Sequence, residues 1–133
     1  YFLKFTDNQK LKVDFNYYPF PRIETGKKYK NLPVDSVYDI AVNKLHTLFM
    51  KPRSRDYVDL YFILTRENYS LDKLIIDAKT KFDWHIDKRQ FGNRLLEASK
   101  ATDFPHMLKP IDHREWQEFF VNEAAKLKSE IFE

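Results

Sequence analysis

The hydrophobic pattern of this chain changes its period at Ser36, and this change constrains the fold more than any other feature. Before Ser36, apolar and polar residues alternate over residues 11–18, as they do in a half-buried strand. Residues 1–5 are apolar and aromatic, and residues 6–9 are typical of a turn. After Ser36, apolar residues recur at helical spacing. The sequence therefore predicts an α+β fold, with a short antiparallel β-hairpin followed by a helical bundle of about five helices.

Capping residues and prolines set the limits of the predicted elements. Pro19 and Pro21 end the second strand, because proline cannot donate to a strand ladder. Ser36 can cap the first helix, and Pro52 ends it. The other four helices are predicted over residues 53–66, from Ser70 to near Phe82, over residues 88–100, and after Pro110.

Composition excludes several classes of function. The chain has 133 residues with no cysteine, which excludes disulfides, thiolate metal sites and a cysteine nucleophile. It has only two glycines, and no glycine-rich phosphate-binding motif occurs. The net charge of +3 permits a polyanionic partner such as RNA without requiring one. No apolar run approaches the ~18 residues of a membrane span, so we expect no membrane partner. The lack of cysteine is compatible with the cytoplasmic location that we expect.

Asp14 is unusual because aspartate is depleted in strand interiors, and here it stands between Val13 and Phe15. Two interpretations stay open. The carboxylate can be solvated on the wet face of an antiparallel strand. Alternatively, it can project from a sheet toward a hard cation such as Mg²⁺, which prefers oxygen ligands.

Lys44 is predicted to lie on the apolar stripe of the first helix. It follows Ile40 by four residues and precedes Leu48 by four, and Val37, Ala41 and Phe49 complete the predicted stripe. Burying an ammonium group is costly unless the group is paired. Lys44 can therefore extend to the surface or form a structural ion pair, or it can point into a cleft and bind phosphate.

Asp56 and Asp59 stand three residues apart near the start of the second predicted helix, so they lie on the same side of it. The helix is apolar from Leu60 to Leu64, so both carboxylates lie near a buried surface and need partners. One interpretation is a structural network that docks the second helix onto the first. The other is the wall of a site that orients Lys44 or a metal-bound substrate. The candidate partners are Lys44, Lys51, Arg53 and Arg55.

Residues 22–35 are predicted as a basic loop, in which Lys27, Lys28 and Lys30 surround Tyr29. Such a charge run is usually a solvated loop. It can also contact a nucleic-acid backbone.

These residues together resemble the nucleotidyltransferase AbiEii/AbiGii toxin family. Three ordered strings carry the resemblance: Lys-Val-Asp-Phe at 12–15, Asp-Ile-Ala-x-x-Lys-Leu at 39–45, and Arg-Asp-x-x-Asp-Leu-Tyr at 55–61. The similarity covers residues 11–64. It implies that residues 1–35 are the C-terminal part of a nucleotidyltransferase sheet with its loop, and that residues 36–133 are a helical domain.

The resemblance also implies roles for individual residues. Asp14 fits the strand position that supplies the last of three metal-binding carboxylates in such folds. Lys44 matches a lysine on the first helix after the sheet, which would neutralise triphosphate charge. Asp56 and Asp59 match a motif whose role is part structural and part catalytic, and Arg55 joins Lys44 as a predicted nucleotide-binding residue. At the start of the 39–45 string, Asp39 matches the family's acidic residue at the beginning of the helix.

One part of the family pattern has no counterpart in this sequence, namely a Gly-Ser or Gly-Gly-Thr turn with an Asp-x-Asp pair. Two-metal chemistry needs those carboxylates. We therefore expect the chain to be a fragment or a degenerate relative that is inactive alone. The complete protein would use Mg²⁺ to transfer NMP from an NTP to an acceptor such as RNA, and a cognate antitoxin would oppose it.

The alternative is a non-catalytic helical protein-interaction domain, in which the same charged residues form structural ion pairs. Geometry separates the two hypotheses. The enzyme hypothesis requires Asp14 and Lys44 to open into one cleft, bordered by Asp56 or Asp59.

Overall fold

Two short β-hairpins precede five α-helices in the computed structural model, which describes residues 1–131. The predicted α+β class with a helical bundle is confirmed. The strands are β1 (Phe2–Lys4), β2 (Lys10–Lys12), β3 (Lys28–Tyr29) and β4 (Leu32–Pro33). The helices are α1 (Val37–Met50), α2 (Ser54–Glu67), α3 (Leu71–Phe82), α4 (Lys88–Glu97) and α5 (His113–Ile131), with a 3-10 turn at Ala98–Lys100 after α4.

The helices begin where the sequence provides capping side chains. The side chains of Ser36, Ser70 and Asp87 each accept a hydrogen bond from a backbone amide in the first turn of the following helix. Pro52 lies in the short gap between α1 and α2, as predicted. Over the described residues, no helix has both the length and the apolar character that crossing a membrane requires.

The hydrophobic core lies between the helices. Its largest fully buried side chains include Trp116, Phe120, Phe91 and Leu45. The stripe predicted for α1 is partly wrong, because Val37 and Ile40 are exposed. The helix instead buries Tyr38, Val42 and Leu45 beside the predicted Ala41 and Leu48. The physical reason is that α1 packs against both α2 and α3, which turns the face that bears Tyr38 and Val42 inward.

The first hairpin is shorter than its alternating pattern predicts. β1 and β2 are antiparallel, with Phe2 opposite Lys12 and Leu3 opposite Leu11. The last backbone hydrogen bonds of this pairing join Val13 and Tyr1, which donate to each other's carbonyl groups. The prediction that the second strand continues to Tyr18 is therefore wrong, and Asp14 lies outside the strand.

Residues 22–35 form more than the predicted loop, because β3 and β4 pair as a second hairpin with Lys28 opposite Pro33 and Tyr29 opposite Leu32. Gly26 lies at the base of this hairpin. A Cβ atom built on Gly26 would overlap the carbonyl oxygen of Val34, so the close approach of these two backbone segments requires glycine.

Candidate functional site

Lys44 lies between two carboxylates where α1 packs against α2. Its Nζ is 3.0 Å from Oδ1 of Asp56 and 2.6 Å from Oδ2 of Asp59. The lysine side chain is 26% exposed, so it borders the core without being sealed in it. The cost of partly burying the ammonium is offset by two opposite charges. The structure thus brings together three of the residues that the sequence singled out.

Asp56 is the buried member of this cluster, with a side chain only 4% exposed. Its Oδ1 accepts a hydrogen bond from Lys44, and its Oδ2 accepts one from the backbone amide of Arg53 at 3.1 Å. The amide of Asp56 donates in turn to the carbonyl of Arg53. The carboxylate therefore satisfies an otherwise unpaired amide at the start of α2, and it also fixes the lysine on α1.

Asp59 is the solvent-facing member of the cluster, with a side chain that is 50% exposed. Arg55 is also exposed, and it precedes Asp59 by four residues, so both lie on the same side of α2. The Nε of Arg53 lies 3.8 Å from Oδ2 of Asp56. An anion that approaches Lys44 from solvent would therefore meet Asp59 first, with two arginines nearby.

The electrostatics keep Lys44 charged at neutral pH. Burial by itself lowers the pKa of this ammonium, but the hydrogen bonds and charges of Asp59 and Asp56 outweigh burial. The net result is a pKa above that of an ordinary lysine. Lys44 is thus a permanent cation in a partly desolvated position.

Asp14 has different surroundings. Its side chain is 54% exposed, and its Oδ2 lies 3.0 Å from Nζ of Lys12. The ion pairs of Asp14 and Lys44 are therefore with different residues. The expectation that both groups open into one cleft remains a prediction.

The segment after Asp14 nevertheless passes beside the helix that bears Lys44. The hydroxyl of Tyr18 donates to Oδ1 of Asn43 at 2.8 Å, and Asn43 is the residue before Lys44. Asp14 is four residues from Tyr18, and a chain spans at most about 3.6 Å per residue. The Cα atom of Asp14 therefore lies within about 14 Å of that of Tyr18.

Sequence reasoning missed a buried ion pair between α1 and α3. Oδ1 of Asp39 lies 2.8 Å from Nζ of Lys81, and both side chains are sealed from solvent. Asp39 also accepts hydrogen bonds from the backbone amides of Ile23 and Glu24, each at 2.9 Å, and from the hydroxyl of Ser36. This clasp fixes the connector, residues 19–26, onto the helices.

The protonation of Asp39 follows from these donors. Burial alone raises the pKa of a carboxyl group, but Lys81 and the two amides outweigh it and hold the pKa of Asp39 at about 2. One signal in the sequence pointed to Lys81. It lies three residues after Ala78 and seven after Leu74, both of which are buried in α3, so it occupies the apolar face of that helix.

A comparison with protein families identifies what kind of chain carries this site. A family model described as nucleotidyl transferase AbiEii toxin, Type IV toxin–antitoxin system, matches residues 2–126. The chain belongs to the AbiEii toxin family. This match confirms the resemblance carried by the three sequence strings, and it extends beyond residue 64 over the C-terminal helices. Comparisons with curated proteins and with solved structures give no match.

Membership in the AbiEii family indicates a nucleotidyltransferase-like toxin function, with a nucleotide substrate and a cognate antitoxin. Nucleotidyl transfer generally depends on a divalent metal ion. Within residues 1–131, no group of three or more Asp, Glu, His or Cys side chains is placed to hold one. Asp14 offers a single carboxylate, and the ammonium of Lys44 already lies between Asp56 and Asp59. The described residues therefore do not form a complete Mg²⁺ site.

Proposed function

We propose that the complete AbiEii-family protein transfers NMP from an NTP to an acceptor such as RNA, and that Lys44 binds the triphosphate. The observation that carries this proposal is the position of Lys44 in a chain of this family. Its ammonium is charged, partly buried and held by two carboxylates at the junction of α1 and α2. Phosphoryl transfer depends mainly on cations and on positioning, and Lys44 supplies both.

The two carboxylates have different roles in this proposal. Asp56 is buried and bonded to the start of α2, so it stays in place and orients Lys44. Asp59 is half exposed, so its carboxylate can turn toward solvent when a phosphate oxygen takes its place on Nζ. Arg55 lies on the same side of α2 as Asp59. It provides a second cation with which the displaced carboxylate of Asp59 can pair.

Asp14 has a narrower part in the proposal. Mg²⁺ is commonly bound by one or two carboxylates together with substrate phosphates and water. Asp14 would supply one such carboxylate in the complete protein, as the family resemblance implies. The cognate antitoxin of the Type IV system is the proposed protein partner, and the proposed location is the cytoplasm.

The proposal is tested with the full-length gene product, incubated with each labelled NTP in turn, Mg²⁺ and total RNA. We expect one or more nucleotides to become covalently attached to RNA. Lys44→Met should reduce transfer by about 100-fold or more, because a positioned cation that stabilises phosphate charge is lost. Asp14→Asn should also reduce transfer, while binding of NTP without metal stays unchanged.

Matched variants separate catalysis from folding. Lys126→Met removes an exposed lysine of α5 that pairs with Glu123, and transfer should stay within about twofold of wild type because exposed ion pairs contribute little. Circular dichroism establishes that each variant is folded before activity is compared. Transfer that survives both Lys44→Met and Asp14→Asn would end this site assignment.

One observation favours the alternative of a non-catalytic interaction domain. The side chains of Lys44, Asp56 and Asp59 already satisfy one another without a ligand, as a purely structural network would. Under this alternative, no NTP is transferred by the folded wild-type protein. Lys44→Met then lowers stability and changes no other property.

A further inference from the structure

The basic hairpin, residues 27–34, concentrates positive charge on one short element. Lys27, Lys28 and Lys30 are exposed, and residues 25–34 include no acidic residue. Their three charges equal the net charge of the entire chain, which is +3. The other charged residues therefore cancel on average, and this hairpin is a place where a polyanion would be attracted.

An aromatic platform lies beside these charges. Tyr29 and Leu32 are opposite each other in the β3–β4 ladder, and both are exposed, with Tyr29 at 68%. The Nζ of Lys30 lies 5.9 Å from the centroid of the Tyr29 ring. The ammonium of Lys30 lies over one face of a ring that is still mostly exposed. Exposed aromatic rings beside lysines are used to stack unpaired bases while the lysines bind phosphates.

The backbone at Lys30 gives an independent indication. Lys30 occupies the turn between β3 and β4 with a φ of 54°, in the left-handed region that glycine and asparagine adopt with less strain. A lysine in this backbone conformation makes the hairpin turn less stable than glycine or asparagine would. Its presence there is consistent with a need for its charge.

The base of the hairpin is fixed relative to the candidate site. Arg22 pairs with Asp35 at 2.6 Å across the base, and Val34 donates to the carbonyl of Lys27 at 2.8 Å. The clasp at Asp39 holds the preceding connector. Asp39 and Lys44 are five residues apart on α1, which is about 7.5 Å along a helix axis. The hairpin thus precedes the N-terminal end of α1, and the clasp that holds its connector lies about 7.5 Å along the helix axis from Lys44.

We infer that the basic hairpin binds an unpaired strand of RNA, with its lysines on phosphates and Tyr29 stacked on a base. This inference rests on the proposed function, because RNA is the proposed acceptor, and it goes further by naming the element that holds the acceptor. We expect a single strand because Tyr29 must stack on the face of a base, and in a duplex neighbouring bases cover that face.

The inference is tested by fluorescence anisotropy with this chain, no NTP, and a labelled single-stranded RNA of about 12 nucleotides. The hairpin variant Lys27→Gln/Lys28→Gln/Lys30→Gln should raise Kd about tenfold or more. It should also reduce the slope of log affinity against log salt by about 2, at ~0.7 per phosphate contact. The control variant Lys100→Gln/Lys109→Gln/Lys128→Gln removes the same charge from exposed sites outside the hairpin, and its Kd should stay within about threefold of wild type. Equal losses in the two triple variants would show a general charge effect and overturn the inference.

Substitutions at single positions test the stacking and strain arguments. Tyr29→Ala should weaken RNA binding, whereas Tyr29→Phe and Tyr17→Ala should not, since Phe keeps the ring and Tyr17 is a still more exposed tyrosine outside the hairpin. Lys30→Asn should weaken binding and leave the melting temperature unchanged or higher. Loss of binding with a lower melting temperature would mean that Lys30 acts through the fold.

Two further comparisons make the result decisive. The same RNA in duplex form should bind more weakly, and binding that is tighter to duplex than to single strand overturns the inference. Preferred binding to anionic lipid vesicles, lost in the hairpin variant while RNA binding is unaffected, also overturns it. Because no NTP is present, these results are independent of whether the complete protein transfers nucleotides.

Discussion

Asp39 is a residue whose loss should strongly reduce stability. It is fully buried with Lys81, and replacing it leaves that ammonium without its charged partner. Asp39→Asn preserves shape but not charge, so we expect a loss of about 3–5 kcal/mol in the free energy of unfolding at neutral pH. Urea denaturation followed by circular dichroism measures it.

The control for this variant is Asp112→Asn. Asp112 pairs with Arg114 on the surface, where both side chains are well exposed, and solvent screens such pairs. The loss should be much smaller than for Asp39→Asn. Equal losses in the two variants would contradict the role assigned to burial.

The pKa of Asp39 also makes stability depend on pH. In the folded protein it is about 2, below the ordinary value of 3.8. The Asp39 carboxylate is therefore protonated at lower pH in the folded form than in the unfolded form. Its contribution to the free energy of unfolding is complete above pH ~4 and is lost as the pH falls toward 2. Its size is on the order of 2 kcal/mol. The stability difference between wild type and Asp39→Asn should accordingly shrink between pH 5 and pH ~2.

At the level of elements, the two glycines of the chain differ in the space that surrounds them. Gly26 has no room for a side chain, whereas a Cβ on Gly92 in α4 meets no atom within 4 Å. Gly26→Ala should lower the melting temperature because the base of the basic hairpin must open. Gly92→Ala should raise stability by about 0.5–1 kcal/mol, since alanine favours helix over glycine. Thermal denaturation of both variants measures the contrast, and a shift of the same sign in both would refute it.

The helices were more predictable than the extent of the strands and the second hairpin, for a physical reason. The starts of several helices are encoded locally, as with the Ser36 and Ser70 caps, so a few neighbouring residues suffice to predict them. A strand needs a partner, and the alternation of residues 11–18 could not reveal that pairing ends at Val13. The β3–β4 hairpin was missed because its two-residue turn has Lys30 at a positive φ, a position where turn rules favour glycine or asparagine.

For the whole molecule, stability is concentrated in the helices. The β1–β2 hairpin is a two-stranded unit whose strand residues are all exposed, and such a unit is marginal by itself. Hydrogen exchange followed by mass spectrometry should show rapid exchange over residues 1–13. The amides of Leu45 and Phe120, which lie in the core, should exchange only through opening of the bundle. Equal protection of the two regions would mean that the hairpin is stabilised by contacts other than its own ladder.

The candidate site was predictable to the extent that its members are close in sequence or share a helix face. Lys44, Asp56 and Asp59 lie on two consecutive helices, and their meeting follows from the short connection at Pro52. The clasp was not predictable in the same way. Lys81 and Ile23 lie 42 and 16 residues from Asp39, and no local pattern joins positions so distant in the chain.

Asp39 holds the connector through backbone amides, and this has a consequence for sequence variation among relatives. Any residue except proline supplies an amide, so the side chains at positions 23 and 24 are free to diverge while the path of the chain stays the same. Positions 39 and 81 lack this freedom, because a change in one leaves an uncompensated charge at the other. In an alignment of relatives, we expect positions 39 and 81 to covary as a pair. Positions 23 and 24 should vary independently of that pair and of each other.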